Sequence, residues 1–314
     1  MHRTVRTALR VAVIGLVIFQ PLDAQTPAGG FDGRAVQALR FRNVGPFRGG
    51  RVTTVAGVPQ RKHEFYFGAS GGGVWKTTDA GANWNNVSDG FFSTGSIGAI
   101  RVAPSNPDVV WVGTGSDGIR SNVIVGRGIY RSSDAGKTWA FKGLRDVGQI
   151  GAVVVHPTNP DIVLVAAQGM PFAATKDRGV YRTTNGGESW EKVLFVNDST
   201  GITDIVAKPD DPNTLYAAAW FGVRRPWSIV SGSKDDGGIY RSTDGGTTWT
   251  KLGGGLPTGI IGKSNIAVSA ASPRRVYVLI EAEKPKAGVY RSDDAGESWK
   301  RMNTDARFWV RSWY

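Results

Sequence analysis

Carboxylates at a fixed spacing are the first feature of this sequence that could do chemistry. Asp79, Asp134, Asp244 and Asp294 each stand two residues after a Ser or Thr, two before a Gly and five before a Trp, and Asn185 holds the same place in a fifth copy. Paired carboxylates are what glycoside hydrolysis needs. That reaction uses one acid and one base, however, not one carboxylate per repeat. A turn accounts for the same residues in full. The Asp or Asn side chain accepts from N–H groups of its own turn, Gly supplies a positive φ, and Trp opens the next strand and packs its ring under the loop. Asp79, Trp84, Asp134, Trp139, Asn185, Trp190, Asp244, Trp249, Asp294 and Trp299 are therefore assigned a structural role.

The remaining reactive types do not assemble into a site. His2, His63 and His156 are isolated, so neither a metal cluster nor a Ser-His-Asp set can be built from them. Gly71-Gly72-Gly73 and Gly49-Gly50 stand outside any strand-to-helix context, which leaves a phosphate loop unsupported. No cofactor is implied and no metal is expected.

Something repeated must position the turns. Successive copies are separated by 55, 51, 59 and 50 residues, and each period carries four short runs rich in Val, Ile, Tyr and Trp. In the second period these are 97–103, 109–113, 128–132 and 139–142; in the third they begin at Ile150, Ile162, Gly179 and Trp190. Asn-Pro, Asp-Gly and Gly-Gly turns separate them, as in an antiparallel meander. Four strands per period of this length predict one propeller blade. Glycine, at 43 of 314 residues, suits so many tight turns, and the absence of Cys leaves packing and sheet pairing to provide stability. The expected fold is an all-β propeller of four-stranded antiparallel blades, with five complete repeats.

With the boxes and the recurring Ile129-Tyr130-Arg131-Ser132 unit, residues 38–305 resemble the Asp-box (BNR) propeller superfamily. This includes sialidases, xyloglucanase-type glycoside hydrolases and sortilin-type receptor domains. The resemblance implies the fold and leaves the function open, because this scaffold carries several activities. Sialidases of this fold carry an Arg-Ile-Pro motif before the first box, whereas 41–46 reads Phe-Arg-Asn-Val-Gly-Pro. Xyloglucanase-type enzymes place a catalytic Asp in a Thr-Asp-Ile-Gly-Gly segment of the first blade; the matching stretch here is Ala69-Ser70-Gly71-Gly72-Gly73, with Ser70 at the Asp position.

The ends of the repeat array suggest an incomplete circle. Phe41-Arg42-Asn43-Val44 has the pattern of a fourth strand, and 308–314 reads as the first strand of a truncated sixth blade within 306–314. A larger ring of six or seven blades is expected, with exposed edges at both ends of this chain. Residues 1–24 read as a signal peptide: Arg3, Arg6 and Arg10 precede the apolar run 11–19, and Ala24 offers a cleavage point, with 25–37 as linker. Export to the periplasm or the extracellular space follows, with no membrane span. The net charge of +12 falls to +10 without that segment. Its basic residues form no run, so nucleic acid is not expected, and anionic envelope or matrix polymers suit a solvated basic surface better.

Strand parity places all box turns on one face and the variable loops on the other. Those loops lie at 70–73, 115–127, 168–178 and 220–237, the last being the longest. Trp220, Arg224, Arg225 and Trp227, with Arg120 and Lys176 from neighbouring loops, are the candidate ligand-binding residues. Aromatic planes beside guanidinium groups stack on sugar rings and pair with anions. The sequence points first to a binding or scaffolding module for a peptide or polysaccharide, similar in kind to sortilin-type domains. The alternative is a xyloglucanase-like hydrolase with catalytic residues partly outside this chain.

Overall fold

A computed structural model describes residues 51–311. The leader, the linker and the 41–44 segment lie outside the described residues, as do 312–314. Chain order gives β1 (Val52–Gly57), β2 (Phe65–Ala69), β3 (Val74–Thr77) and β4 (Asn85–Asn86), then β5 (Ile97–Ala103), β6 (Asn106–Thr114), β7 (Ile129–Ser132) and β8 (Ala140–Phe141). There follow β9 (Gln149–Val155), β10 (Val163–Gly169), β11 (Gly179–Thr183) and β12 (Glu191–Leu194). The fourth repeat has β13 (Thr200–Lys208), β14 (Asp211–Arg224), β15 (Ile229–Ser231), β16 (Ser233–Lys234), β17 (Gly238–Ser242) and β18 (Thr250–Lys251); the fifth has β19 (Ile260–Val268), β20 (Val276–Ala282), β21 (Gly288–Ser292) and β22 (Lys300–Asn303).

These strands form five antiparallel sheets, ordered β1-β2-β3-β4, β5-β6-β7-β8, β9-β10-β11-β12, β13-β14-β17-β18 and β19-β20-β21-β22. Each is one blade, as the repeat spacing predicts. The fourth blade adds a hairpin, in which β15 pairs with the extended end of β14, and β16 crosses to pair with β19 of the fifth. Residues 220–224, expected in a loop, are therefore strand. A similar local preference decides 306–311. The described part of the expected innermost strand, 308–311, is not strand: it follows on from a 3-10 turn, Ala306–Phe308, whose Asp305 side chain accepts from the Arg307 N–H. The turn closes locally, with the Trp309 and Val310 N–H groups both donating to the Ala306 carbonyl, at 3.2 and 2.9 Å.

Burial runs from the axis outwards. All seven residues of β10 are buried because neighbouring blades cover both of its faces, whereas β22 at the outer edge is exposed throughout. The core is four clusters, one between each consecutive pair of blades, for example Ile97, Ile100, Val110 and Val112 against Val58, Tyr66 and Val74 between the first two. Glycine permits the closest approach: a Cβ on Gly151 would lie 2.2 Å from the Thr203 carbonyl oxygen, so β9 and β13 meet backbone to backbone near the axis. The free flank of the first blade is different. Val52 and Val55 are 52% and 72% exposed, while Ile97 and Ile100 at the matching positions of the second blade are 0% and 3%. Among the described residues, nothing covers that flank as each blade covers the next.

Candidate functional site

All five boxes have the same wiring. In the second, the Ser132 hydroxyl donates to Asp134 Oδ1 at 2.8 Å and accepts from the Gly136 N–H at 2.7 Å, and Asp134 Oδ1 accepts from the Thr138 N–H at 2.9 Å. Asn185 reproduces this with its own Oδ1, accepting from the Thr183 hydroxyl and the Ser189 N–H. The backbone N–H of Asn83, with its side-chain amide and the Thr77 hydroxyl, holds Asp79 down at about 2. Asp244 is also at about 2, chiefly through the hydroxyl and N–H of Thr248. Asp134 reaches about 2 through Thr138 even though desolvation opposes the shift. Groups so committed to their own turn are poor proton donors near neutrality.

The boxes also join neighbouring blades. Tyr66 Oη and Lys76 Nζ both lie within hydrogen-bond distance of the Ala135 carbonyl, at 3.0 and 2.9 Å. Arg182 Nε donates to the Gly245 carbonyl at 3.0 Å, and Tyr216 Oη and Arg241 Nη1 donate to that of Ala295, each at 2.9 Å. Lys76, Arg182 and Arg241 thus each fasten one blade to the next box, whereas Arg131 pairs with Asp161 at 2.9 Å and Arg291 with Asp293 of its own blade. Part of the positive charge expected on a solvated surface is structural. Trp139 and Trp190 add to this by donating to the carbonyls of Val87 and Lys142 in the preceding blade, whereas Trp249 and Trp299 bond within their own boxes.

The residues that the sequence offers for ligand binding lie on or beside the variable loops. These loops are tied to one another: the Arg224 N–H donates to the Pro171 carbonyl at 2.7 Å, and the Thr175 N–H to that of Asp198 at 2.8 Å. Trp227 stands at the tip of the β14–β15 hairpin, 84% exposed, beside exposed Arg225 and half-buried Arg224. Phe172, on the joined loop, is 52% exposed. Lys176 is exposed on the same loop. Trp220 does not belong to this group: it is fully buried, and its indole donates to Ser231 Oγ at 2.9 Å, which in turn donates to Glu281 Oε2 at 2.6 Å. It anchors the hairpin, because its place in β14 points it into the core.

Buried polar side chains hold these loops in place. The Arg178 guanidinium donates to the carbonyls of Gln168, Met170 and Ala173, and desolvation pushes its pKa down to about 10. Gln149 clamps residues 115–127: its Nε2 donates to the Ser116 carbonyl at 2.6 Å and to that of Ile124 at 3.2 Å, and its Oε1 accepts from the Gly126 N–H at 2.8 Å. Arg120 lies on that loop, beside a polar basin of about 300 Å³ lined by Arg51, Thr53, Ser116 and Asp117. Lys263 of the fifth blade, 4% exposed, reaches Asp117 Oδ2 at 2.7 Å. Phe172, Arg178, Gln149 and Lys263 were not singled out by the sequence; only the polar type of Gln149 and Arg178 next to apolar strands gave any signal.

The BNR/Asp-box repeat family model matches residues 240–251, which include the fourth box. The described residues form a propeller built of Asp-box repeats. The chain is 26% identical over 214 residues to a xyloglucanase from Paenibacillus sp and 28% identical over 223 residues to one from Hypocrea jecorina, in each case over 62% of this chain. It spans only 20% and 24% of those relatives' length. An ancestral GH74 enzyme superposes with a TM-score of 0.62 at 22% identity, over 82% of this chain and 32% of its own. The GH74 enzyme of Niastella koreensis gives 0.59 at 20% identity, over 80% and 38%. These superpositions show the fold that the propeller shares with them. The matches favour a hydrolase-type relationship over the sortilin-type binding module that the sequence put first. No helix among the described residues is long and apolar enough to cross a membrane.

Proposed function

We propose that this propeller is the substrate-holding part of an exported, xyloglucanase-type glycoside hydrolase, with a β-glucan chain lying across the variable-loop face. The observation that carries the reading is the pair of exposed aromatic residues on joined loops, Trp227 and Phe172, in a chain whose curated relatives are xyloglucanases. Flat, rigid aromatic faces suit the apolar faces of pyranose rings, and Arg225 beside them supplies donors for sugar hydroxyls. Loops clamped by Arg178 and Gln149 lose little freedom on binding, which favours affinity. Isothermal titration with a xyloglucan oligosaccharide tests the binding, and release of reducing ends from xyloglucan tests the hydrolysis. Trp227→Ala is expected to weaken binding tenfold or more with an unchanged melting temperature; unchanged affinity would remove the aromatic ledge from the account.

One residue favours a second reading, in which the propeller holds polysaccharide without cleaving it. Ser70 stands where the resemblance places a catalytic Asp, and a hydroxyl does not replace a carboxylate as general base without a partner. Binding without any release of reducing ends would select this reading.

A further inference from the structure

We propose that Glu281 is a positioning residue for the sugar-binding ledge: from the fifth blade it fixes the β14–β15 hairpin that carries Trp227, and it keys that hairpin to the 115–127 loop. The inference rests on the polysaccharide reading above and adds to it the group that sets the geometry of the ledge.

A chain of side-chain contacts runs from the hairpin through the fifth blade to the second. Ser231 Oγ, at the foot of the hairpin, accepts from the Trp220 indole at 2.9 Å and donates to Glu281 Oε2 at 2.6 Å. The same carboxylate oxygen accepts from the Lys263 N–H at 3.0 Å, and Lys263 Nζ lies 2.7 Å from Asp117 Oδ2 on the 115–127 loop. Hydrogen bonds in series polarise one another, and a carboxylate acceptor makes them short and strong. The niche is shaped for this group. A Cβ on Gly262 of β19 would lie 2.3 Å from Glu281 Oε2, so glycine at that place is what lets the carboxylate sit against the strand. Trp220, fully buried, lies over Gly222, where a Cβ would stand 2.9 Å from the indole.

From Ser231 to the tip, the hairpin is a short ladder that pairs Gly222 with Ser231, Val223 with Val230 and Arg224 with Ile229, and the Arg225 N–H closes it on the Ser228 carbonyl at 2.9 Å. An isolated two-stranded hairpin is only marginally stable, so what holds its foot sets the place of Trp227 at its tip. Beyond Ser231 the chain crosses to β19 through β16, which attaches the foot to the same fifth blade. The Arg224 N–H carries the constraint on to the Pro171 carbonyl, next to Phe172.

The test is a double-mutant cycle with Trp227→Ala as the second change, read by calorimetric titration of a xyloglucan oligosaccharide into the full chain. Glu281→Ala is expected to weaken binding about tenfold when Trp227 is present and less than about twofold when it is absent, because its effect runs through the ledge. Glu281→Gln, which keeps an acceptor in the same place, should stay within about threefold of the wild type. Equal losses in the two backgrounds overturn the proposal, as does unchanged affinity. Hydrogen exchange without ligand is the second measurement: Glu281→Ala should speed exchange in residues 220–231 at least about fivefold and leave the box turns as they were. Exchange raised throughout the chain would assign Glu281 to general stability and overturn the proposal, and unchanged exchange in 220–231 would overturn it too. Should Glu281→Ala fail to fold, Ser231→Ala breaks the same link from the other side and is held to the same outcomes. Absence of oligosaccharide binding by the wild type, with 220–231 loosened in the variant, counts against the polysaccharide reading alone. Binding by the wild type with no coupling in the cycle counts against this inference alone.

Discussion

At the scale of single residues, the box carboxylates tie stability to pH. Asp79, Asp134 and Asp244 sit at about 2 in the fold against 3.8 as free side chains. A group whose folded value is lowered stabilises the fold at pH above its unfolded value, and that contribution disappears as pH falls through the folded value. Melting temperature is therefore expected to drop between about pH 4 and pH 2. Asn185 shows that an amide makes the same turn without titrating, so Asp134→Asn and Asp244→Asn together should flatten the decline. An unchanged slope would mean that other carboxylates govern it. This role was legible in the sequence because the Asx turn closes within five residues. The partners of the box carbonyls were not, since Tyr66 and Ala135 are 69 residues apart.

The elements show the same division between local and distant information. Strands β5 to β12 were readable to within three residues from their apolar runs and turn residues, which are local properties. The long β14, the crossing of β16 to the fifth blade and the burial of Trp220 depend on pairing and packing between segments, so the sequence placed Trp220 in a loop. Arg224, Arg225 and Trp227 do lie on the hairpin as the loop length suggested, because an insertion at a strand-to-strand connection must project from the face that carries it. The latch between the fourth and fifth blades can be tested as an element. Tyr216→Phe leaves the packing in place and removes one donor from the Ala295 carbonyl, which keeps Arg241. A loss of about 1 kcal/mol in denaturant unfolding is expected. No loss would assign the fastening to Arg241 alone.

For the whole molecule, five blades share four core clusters, and the outer flank of the first is open among the described residues. Equivalent substitutions should therefore differ sharply in effect. Ile100→Ser, in the closed flank of the second blade, is expected to cost about 3 kcal/mol through lost burial and a buried hydroxyl. Val55→Ser, at the matching position on the open flank, should cost little by the same unfolding measurement; similar losses would mean that the first flank is covered. The two faces divide the work in the same uneven way. One is given over to box turns that bond to themselves and to the next blade, and the other carries clamped loops with exposed aromatic and cationic tips.

Hydrogen exchange with and without a xyloglucan oligosaccharide tests that division most directly. Protection is expected in residues 115–127, 168–178 and 220–237, with the box turns unchanged. Protection centred on the box turns, or none in the three loop segments under saturating ligand, would contradict the account.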